Sequence, residues 1–477
     1  MNTQRASGIL MAVSSLPGPY GIGSLGRHAY NFVDFLARSG QKYWQTLPLV
    51  PPGDGASPYM SPSAFAGNPY FIDLDLLVDE GLLTPQEAET ARYHHPDRVD
   101  YNWLQRTRIP LLRKAWERSR ATPLPCHTPE LPWLEDYAAF AALREQLAGP
   151  CTDWPADAIP DAEEVEFHRF LQRTFYRQWF ALKSYANQKG IRLMGDIPIY
   201  LSGDSVEMWK RPKLFQLDEN GRLKAVAGVP PDAFCEDGQL WGNPLYDWHG
   251  NKAGVFAFWR ERISWCARLY DAVRIDHFRA FHTYWSVPAG SPTAMAGHWE
   301  PGPGMELLND LHAAAPKLEL IAEDLGDLDA DALEFVRTCG VPGMKVMVFA
   351  FDPNGESAYL PHNCHVDCVA YTGTHDTPTF VQWLQEGDPA ATAYARSYLR
   401  LREDEGLGWG VIAGAWSTVA RLAIAPMQDV LGLSSDARMN SPGTMGEHNW
   451  SWRVRTEALN DYVSGHLREL THIYRRL

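Results

Sequence analysis

Asp276, Glu323 and Asp376 each close a short apolar run. The first is Ala272-Val273-Arg274-Ile275-Asp276-His277. The second is Leu320-Ile321-Ala322-Glu323-Asp324, and the third runs from Val369 to His375-Asp376. A buried carboxylate is costly unless it is paired or put to use. Arg274 stands two residues before Asp276, so on a strand both point to one face. The guanidinium can then orient the carboxylate and hold it ionised. Taken alone, the first run also fits a structural ion pair at the end of a core strand. Three runs that finish on acid at the same end call for more. In a β/α barrel the strand ends converge on one face, where catalytic residues sit. Converging carboxyls supply nucleophiles and general acids and bases.

Eight strand-like runs position these residues: 8–16, 43–49, 192–200, the stretch from 272, 318–323, 345–351, 369–374 and 422–433. Most gaps suit β/α units, which predicts an α/β fold, a (β/α)8 TIM barrel. A helix is expected over 26–38, ending at Gly40. From about 73 to 190 no barrel strand appears; helical segments at 84–93, 109–120, 133–147 and 163–189 form a mainly helical insertion. Residues 201–252 read as a loop-rich insertion over the cleft, followed by a helix over 253–269. The loop 51–69 is too long to be a mere connector. The whole of 1–477 is expected to be one decorated barrel domain.

The 477 residues are 45% hydrophobic and 21% charged, ordinary for a soluble globular chain. A net charge of −15 argues against nucleic acid or an anionic membrane as a partner. Seven scattered cysteines without a spacing framework favour a reducing cytoplasm. Arg5 with the apolar run 8–13 has the outline of a short signal peptide, but it lacks a cleavage site and reads better as the first strand. No apolar run approaches a membrane span. His362, Cys364, His365 and Cys368 lie close enough to suggest a soft metal site, yet the spacing is not a zinc-finger pattern. With no Gly-rich loop of Rossmann or P-loop spacing, neither a cofactor nor a metal is expected. Trp, Tyr and Phe number 18, 20 and 19. Such rings pack on the C–H faces of sugars when they are not core.

The three acid motifs resemble those of the amylomaltases, the 4-α-glucanotransferases of glycoside hydrolase family 77 in the α-amylase clan. Ser57-Pro58-Tyr59, Ser63-Ala64-Phe65-Ala66-Gly67-Asn68-Pro69 and Gly195-Asp196-Ile197-Pro198 resemble further signatures in family order. So do Gly228-Val229-Pro230-Pro231-Asp232, Trp241-Gly242-Asn243-Pro244, and Arg438-Met439-Asn440 with Pro442-Gly443-Thr444. The likeness runs from about Gly8 to Arg453. It implies transfer of an α-1,4-glucan segment to the 4-hydroxyl of glucose or another maltodextrin.

In that scheme Asp276 is the nucleophile, Glu323 the acid/base, and Asp376 grips the sugar hydroxyls beside the reacting carbon. His277 and His375 would hydrogen-bond the same sugar, each having a plain core role as its alternative. Asp196 either touches sugar or buttresses Arg274. Asp324 is a supporting acid or a helix N-cap, and Tyr59 and Trp241 are stacking platforms or loop anchors. Asn449 reaches substrate. Ala233 departs from the tyrosine that many relatives carry, which puts one acceptor contact in doubt. An amylase-type hydrolase uses the same residues with water as acceptor, and a silent glucan-binding protein would have no need of them.

Overall fold

Short runs rich in Ala, Val, Ile, Leu and Met form the staves of a barrel, because strands buried on both faces need no polar alternation. The computed structural model describes residues 5–121, 130–231, 236–326 and 328–477. In chain order the strands are β1 (Ala6–Leu10), β2 (Tyr43–Gln45), β3 (Arg192–Pro198), β4 (Ala225–Val229), β5 (Gln239–Pro244) and β6 (Ala272–Asp276). They continue with β7 (Thr283–Pro288), β8 (His298–Pro301), β9 (Glu319–Ala322), β10 (Gly343–Val346), β11 (Cys368–Tyr371) and β12 (Leu422–Pro426). Eight of them pair in parallel in the order β10-β11-β12-β1-β2-β3-β6-β9, a (β/α)8 barrel sheet.

Between β9 and β10 the ring closes through few bonds. Ala322 N donates to the Pro342 carbonyl at 2.9 Å, and Met344 N donates to Asp324 Oδ1 at 2.7 Å. Gly343 makes room for this seam, since a Cβ there would lie 2.2 Å from Asp324 Oδ2.

Several barrel strands are shorter than the sequence suggests. β1 stops at Leu10 and a 3-10 turn, Val13–Ser15, follows; the turn is placed by Met11, whose N–H meets Gln45 and whose carbonyl takes Trp44 Nε1–H at 2.8 Å. β10 gives way to the 3-10 turn Met347–Phe349. β12 ends at Pro426, where the helix Met427–Val430 begins. Its Asp429 carboxylate accepts Phe380 N–H at 2.8 Å and the Thr372 hydroxyl, which draws the segment across the end of the strand.

Between β2 and β3 stand the helices Leu74–Asp79, Pro85–Glu89, Tyr101–Ser119, Leu134–Gln146 and Ala162–Gln188. The third starts earlier than the sequence suggests and runs through Pro110, because Asp100 caps it by accepting Trp103 N–H at 2.9 Å. Residues 201–252 hold more than loops. β4 and β5 form a hairpin there, and β7 and β8 complete an antiparallel sheet in the order β5-β4-β7-β8. Ala233 lies outside the described residues.

Aromatic side chains anchor the core, among them Trp44, Trp179, Trp259 and Trp416, all fully buried. At the opposite end of the staves from the acids, the buried Arg476 guanidinium donates to the carbonyls of Ala6, Trp416, Thr418 and Ala420. No helix among the described residues is long and apolar enough to cross a membrane.

Candidate active site

The barrel register sets the acids side by side. Asp196 on β3 faces Arg274 on β6, and Arg274 faces Ile321 on β9, two residues before Glu323. Arg274 Nη1 lies 2.8 Å from both oxygens of Asp196, and its Nη2 lies 3.0 Å from Asp276 Oδ1. The Tyr59 hydroxyl donates to Asp196 Oδ2 at 3.0 Å. Asp196 is fully buried and the Arg274 side chain is 4% exposed, whereas the Asp276 side chain is 28% exposed. Asp196 therefore buttresses Arg274, and Arg274 aims Asp276. Of the two roles open to Asp196, this is the geometry of the buttress, and Arg274 stands where it orients Asp276; both are enclosed and engaged with one another.

Glu323 is held from two sides. Its Oε2 accepts the His277 N–H at 2.7 Å and its Oε1 accepts the Leu325 N–H at 2.9 Å. His277 presents that N–H from a left-handed conformation, φ 53° and ψ 46°, which non-glycine residues seldom adopt outside functional sites. Its Nε2 is buried and has no hydrogen-bond partner among the described residues. Trp241 packs edge-on against the His277 ring, centroids 4.8 Å apart, and Tyr200 approaches it at 6.3 Å.

Burial pushes Glu323 up to about 7 and Asp276 up to about 6; Arg274 opposes the rise at both. Such a pair titrates as a unit. The carboxylate beside the guanidinium gives up its proton first, leaving Glu323 as the acid. Burial also lowers His277, to about 4, so this ring is neutral.

The third acid is gripped by its own loop. His375 Nε2 lies 3.2 Å from Asp376 Oδ2, and Asn440 Nδ2 donates to Oδ1 at 2.7 Å. Arg438 Nη2 donates to the Asp376 carbonyl at 3.0 Å, and Asn440 N donates to the His375 carbonyl at 3.0 Å. Burial works against ionisation of Asp376, but His375 and then Asn440 outweigh it and hold the group at about 2. Burial likewise disfavours the His375 imidazolium, yet Asp376 raises it. The Asp376 side chain is 39% exposed, so this acid faces open space.

Tyr59 stacks on His375, centroids 5.1 Å apart at 14°, and Trp450 leans on both rings at 5.6 and 5.9 Å. Tyr59 thus gives its hydroxyl to Asp196 and one face to His375, the anchor alternative rather than a free platform. Two further residues are engaged within the fold. Asp324 turns to the β9–β10 seam, where it caps Met344 N, as strand alternation requires of the neighbour of Glu323. Asn449 ties its own loop: it accepts the Ser441 N–H at 3.1 Å and donates to Thr444 at 3.0 Å and 3.1 Å. Sequence reasoning missed Asn440 and Trp450 as partners of Asp376 and Tyr59. The Arg438-Met439-Asn440 motif was the available signal for Asn440, and Glu447-His448-Asn449-Trp450, which resembles a C-terminal motif of the family, was that for Trp450.

His362 Nδ1 meets the Tyr398 hydroxyl at 2.7 Å and Cys368 Sγ meets the His365 carbonyl at 3.0 Å, while the Cys364 and Cys368 thiols hydrogen-bond each other. Among the described residues one other acid–histidine group converges, Glu145, Glu164 and His168. Arg113, forked onto Glu164 at 2.9 and 2.7 Å, serves as its cation.

Known proteins resemble this chain across their length. A sequence model described as 4-alpha-glucanotransferase matches residues 11–459. The 4-alpha-glucanotransferase of Clostridium butyricum is 43% identical over 486 residues, covering 98% of this chain and 100% of that protein. That of Thermus thermophilus is 42% identical with full coverage of both. The amylomaltase of Streptococcus agalactiae, solved in complex with acarbose, superposes with a TM-score of 0.94 at 41% identity over 99% of this chain and 100% of its own. With its acids gathered at one end of the barrel and a match of this extent, the chain belongs to the 4-alpha-glucanotransferase family.

Proposed function

We propose that the chain disproportionates α-1,4-glucans by double displacement, with Asp276 as nucleophile and Glu323 as acid/base. The observation that carries this reading is the contrast between two neighbouring carboxyls, one held by Arg274 and the other raised by burial. Asp276 attacks the anomeric carbon as Glu323 protonates the departing 4-oxygen, which leaves a covalent glycosyl ester. Glu323, now ionised, takes the proton of an acceptor's 4-hydroxyl. That oxygen displaces Asp276 with overall retention. Asp376, ionised and open to the cleft, holds the hydroxyls beside the reacting carbon, and its hydrogen bonds strengthen as the ring flattens. His375 and the unpartnered Nε2 of His277 bind the same sugar, and Trp241 borders it.

The preferred acceptor is the 4-hydroxyl of glucose or a maltodextrin. The protein works in the cytoplasm as one decorated barrel; its five described cysteines are all unpaired. The test is maltotriose. Transfer breaks one glycosidic bond and makes another, so glucose and a ladder of longer oligomers should form at a constant total of reducing ends. Reducing ends rising in step with substrate loss would mean that water is the acceptor and would replace this reading with a hydrolase.

A further inference from the structure

The antiparallel sheet that flanks the barrel mouth has an outer face which the chemistry above leaves unused. In antiparallel ladders, residues directly opposite share a face. Leu240 stands opposite Gly228, Gly228 opposite Trp285, and Trp285 opposite Trp299, so these four form one row across β5, β4, β7 and β8. At the strand spacing of ~4.8 Å the row spans about 14 Å.

The row is apolar and open. Trp299 and Leu240 are each 38% exposed, and Met295 in the β7–β8 connection is 61% exposed. The rings are fixed rather than loose. Trp285 donates its Nε1–H to the Ala294 carbonyl at 2.9 Å and meets Trp299 at 5.1 Å and 70°. The Arg279 guanidinium lies 3.9 Å from the Trp299 ring centroid, and its Nη2 donates to Asp329 at 2.7 Å.

Two things on this face point to one occupant. First, the flat apolar surface is bordered by a planar hydrogen-bonding pair, Arg279 with Asp329. A sugar chain is complementary to that mixture, with C–H faces for the rings and hydroxyls for the edges. A charged pair this close to the row disfavours a protein partner, whose interface core is depleted of charge. Second, the face adjoins the catalytic end of the barrel. Arg279, whose guanidinium lies over the Trp299 ring, sits in the 3-10 turn Phe278–Phe281 immediately after His277.

We propose that the row Leu240–Trp285–Trp299 is an accessory binding site for long α-1,4-glucan chains, holding polymer that extends beyond the catalytic cleft. The proposal rests on the family's activity and not on the role given to any one acid.

The test is electrophoretic retardation in gels containing soluble amylose, run on Asp276→Asn protein so that the polymer is not remodelled. Adding Trp299→Ala should weaken retardation about 3- to 10-fold, the scale of one lost aromatic contact. Leu240→Thr should weaken it by less. In otherwise unaltered enzyme, Trp299→Ala should leave maltotriose turnover within about twofold, which also reports that the fold is intact. Equal retardation with and without Trp299 would overturn the proposal. A parallel loss of maltotriose turnover would overturn it as well, because the residue would then be serving the cleft. So would a concentration-dependent dimer that Trp299→Ala dissociates, since the face would then be an interface between copies. Full turnover by Asp276→Asn would sink the nucleophile assignment while leaving the comparison of Trp299 variants readable.

Discussion

Arg274 joins the stability of the barrel to its chemistry, and Arg274→Met separates the two. The guanidinium lies 2.8 Å from both oxygens of the fully buried Asp196 and 3.0 Å from Asp276. Removing it strands Asp196 with only the Tyr59 hydroxyl, and an uncompensated buried charge of this kind costs about 3–5 kcal/mol. Asp276 loses the group that opposes its burial. A carboxyl titrating at about 6 is about ten-to-one ionised at pH 7. Removal of an adjacent arginine lifts such a group by one to three units, so a two-unit rise leaves on the order of a tenth ionised.

The double variant Asp196→Asn with Arg274→Met removes the stranded charge along with the guanidinium. We expect urea unfolding at pH 7 to show the single variant about 3–5 kcal/mol less stable than the parent and the double variant largely restored. Maltotriose turnover at pH 7 should fall about tenfold in the single variant, with the acid limb of the pH profile displaced to higher pH. The double variant should be displaced less, because the Asp196 charge itself raises Asp276. An acid limb in the single variant that coincides with the parent's would refute the argument that Arg274 sets the ionisation of Asp276.

Three further outcomes follow from the same geometry. kcat/KM for maltotriose should be bell-shaped and narrow, falling below about 6 as Asp276 protonates and above about 7 as Glu323 ionises; a flat profile from pH 5 to 9 would contradict the pairing. Glu323→Gln should abolish turnover and remove the alkaline loss of stability, against a constant cost for the backbone N–H that its amide nitrogen cannot accept. The folded carboxyl titrates at about 7 against 4.5 unfolded, so ionisation penalises the parent by at most about 3 kcal/mol above pH 7. That penalty should vanish as pH falls to 4.5, and urea unfolding at pH 5 and 8 reads it. Asn440→Ala removes a 2.7 Å hydrogen bond to an ionised acid, worth about 1.5–3 kcal/mol, and should lower kcat about 10- to 100-fold with folding intact; an unchanged kcat would show that Asp376 needs no such brace.

Much of the barrel was legible because its staves are short apolar runs, and the three that end on acid are conspicuous. The neighbours Glu323 and Asp324 show the limit of that signal. Composition cannot say which of two adjacent acids faces the mouth, although strand alternation does once the strand is drawn. The antiparallel sheet escaped notice for a different reason. Its hairpin lies between β3 and β6 while its other two strands follow β6, so no contiguous stretch carries the pattern. Asn440 and Trp450 were illegible as partners of Asp376 and Tyr59 because those contacts join residues far apart in sequence, and neither helical nor strand periodicity encodes them. Tyr59 was read as a platform because an aromatic in a mouth loop suits either role. Only the buried Asp196 decides which end of the ring is tied.

The first strand waits longest for its place. β1 pairs with β12 on one side, Ala6 opposite Leu422, and with β2 on the other, Gly8 opposite Tyr43, and Arg476 fastens the start of the strand to the segment before β12. During synthesis β1 therefore shows one unpaired hydrogen-bonding edge until β12 has been made. An exposed parallel edge is a template for pairing with other chains, and non-local closure of this kind is slow. The nascent protein should accordingly depend on chaperones until β12 emerges. Truncation anywhere between β11 and β12 should yield aggregates, while the helices between β2 and β3 can already be compact.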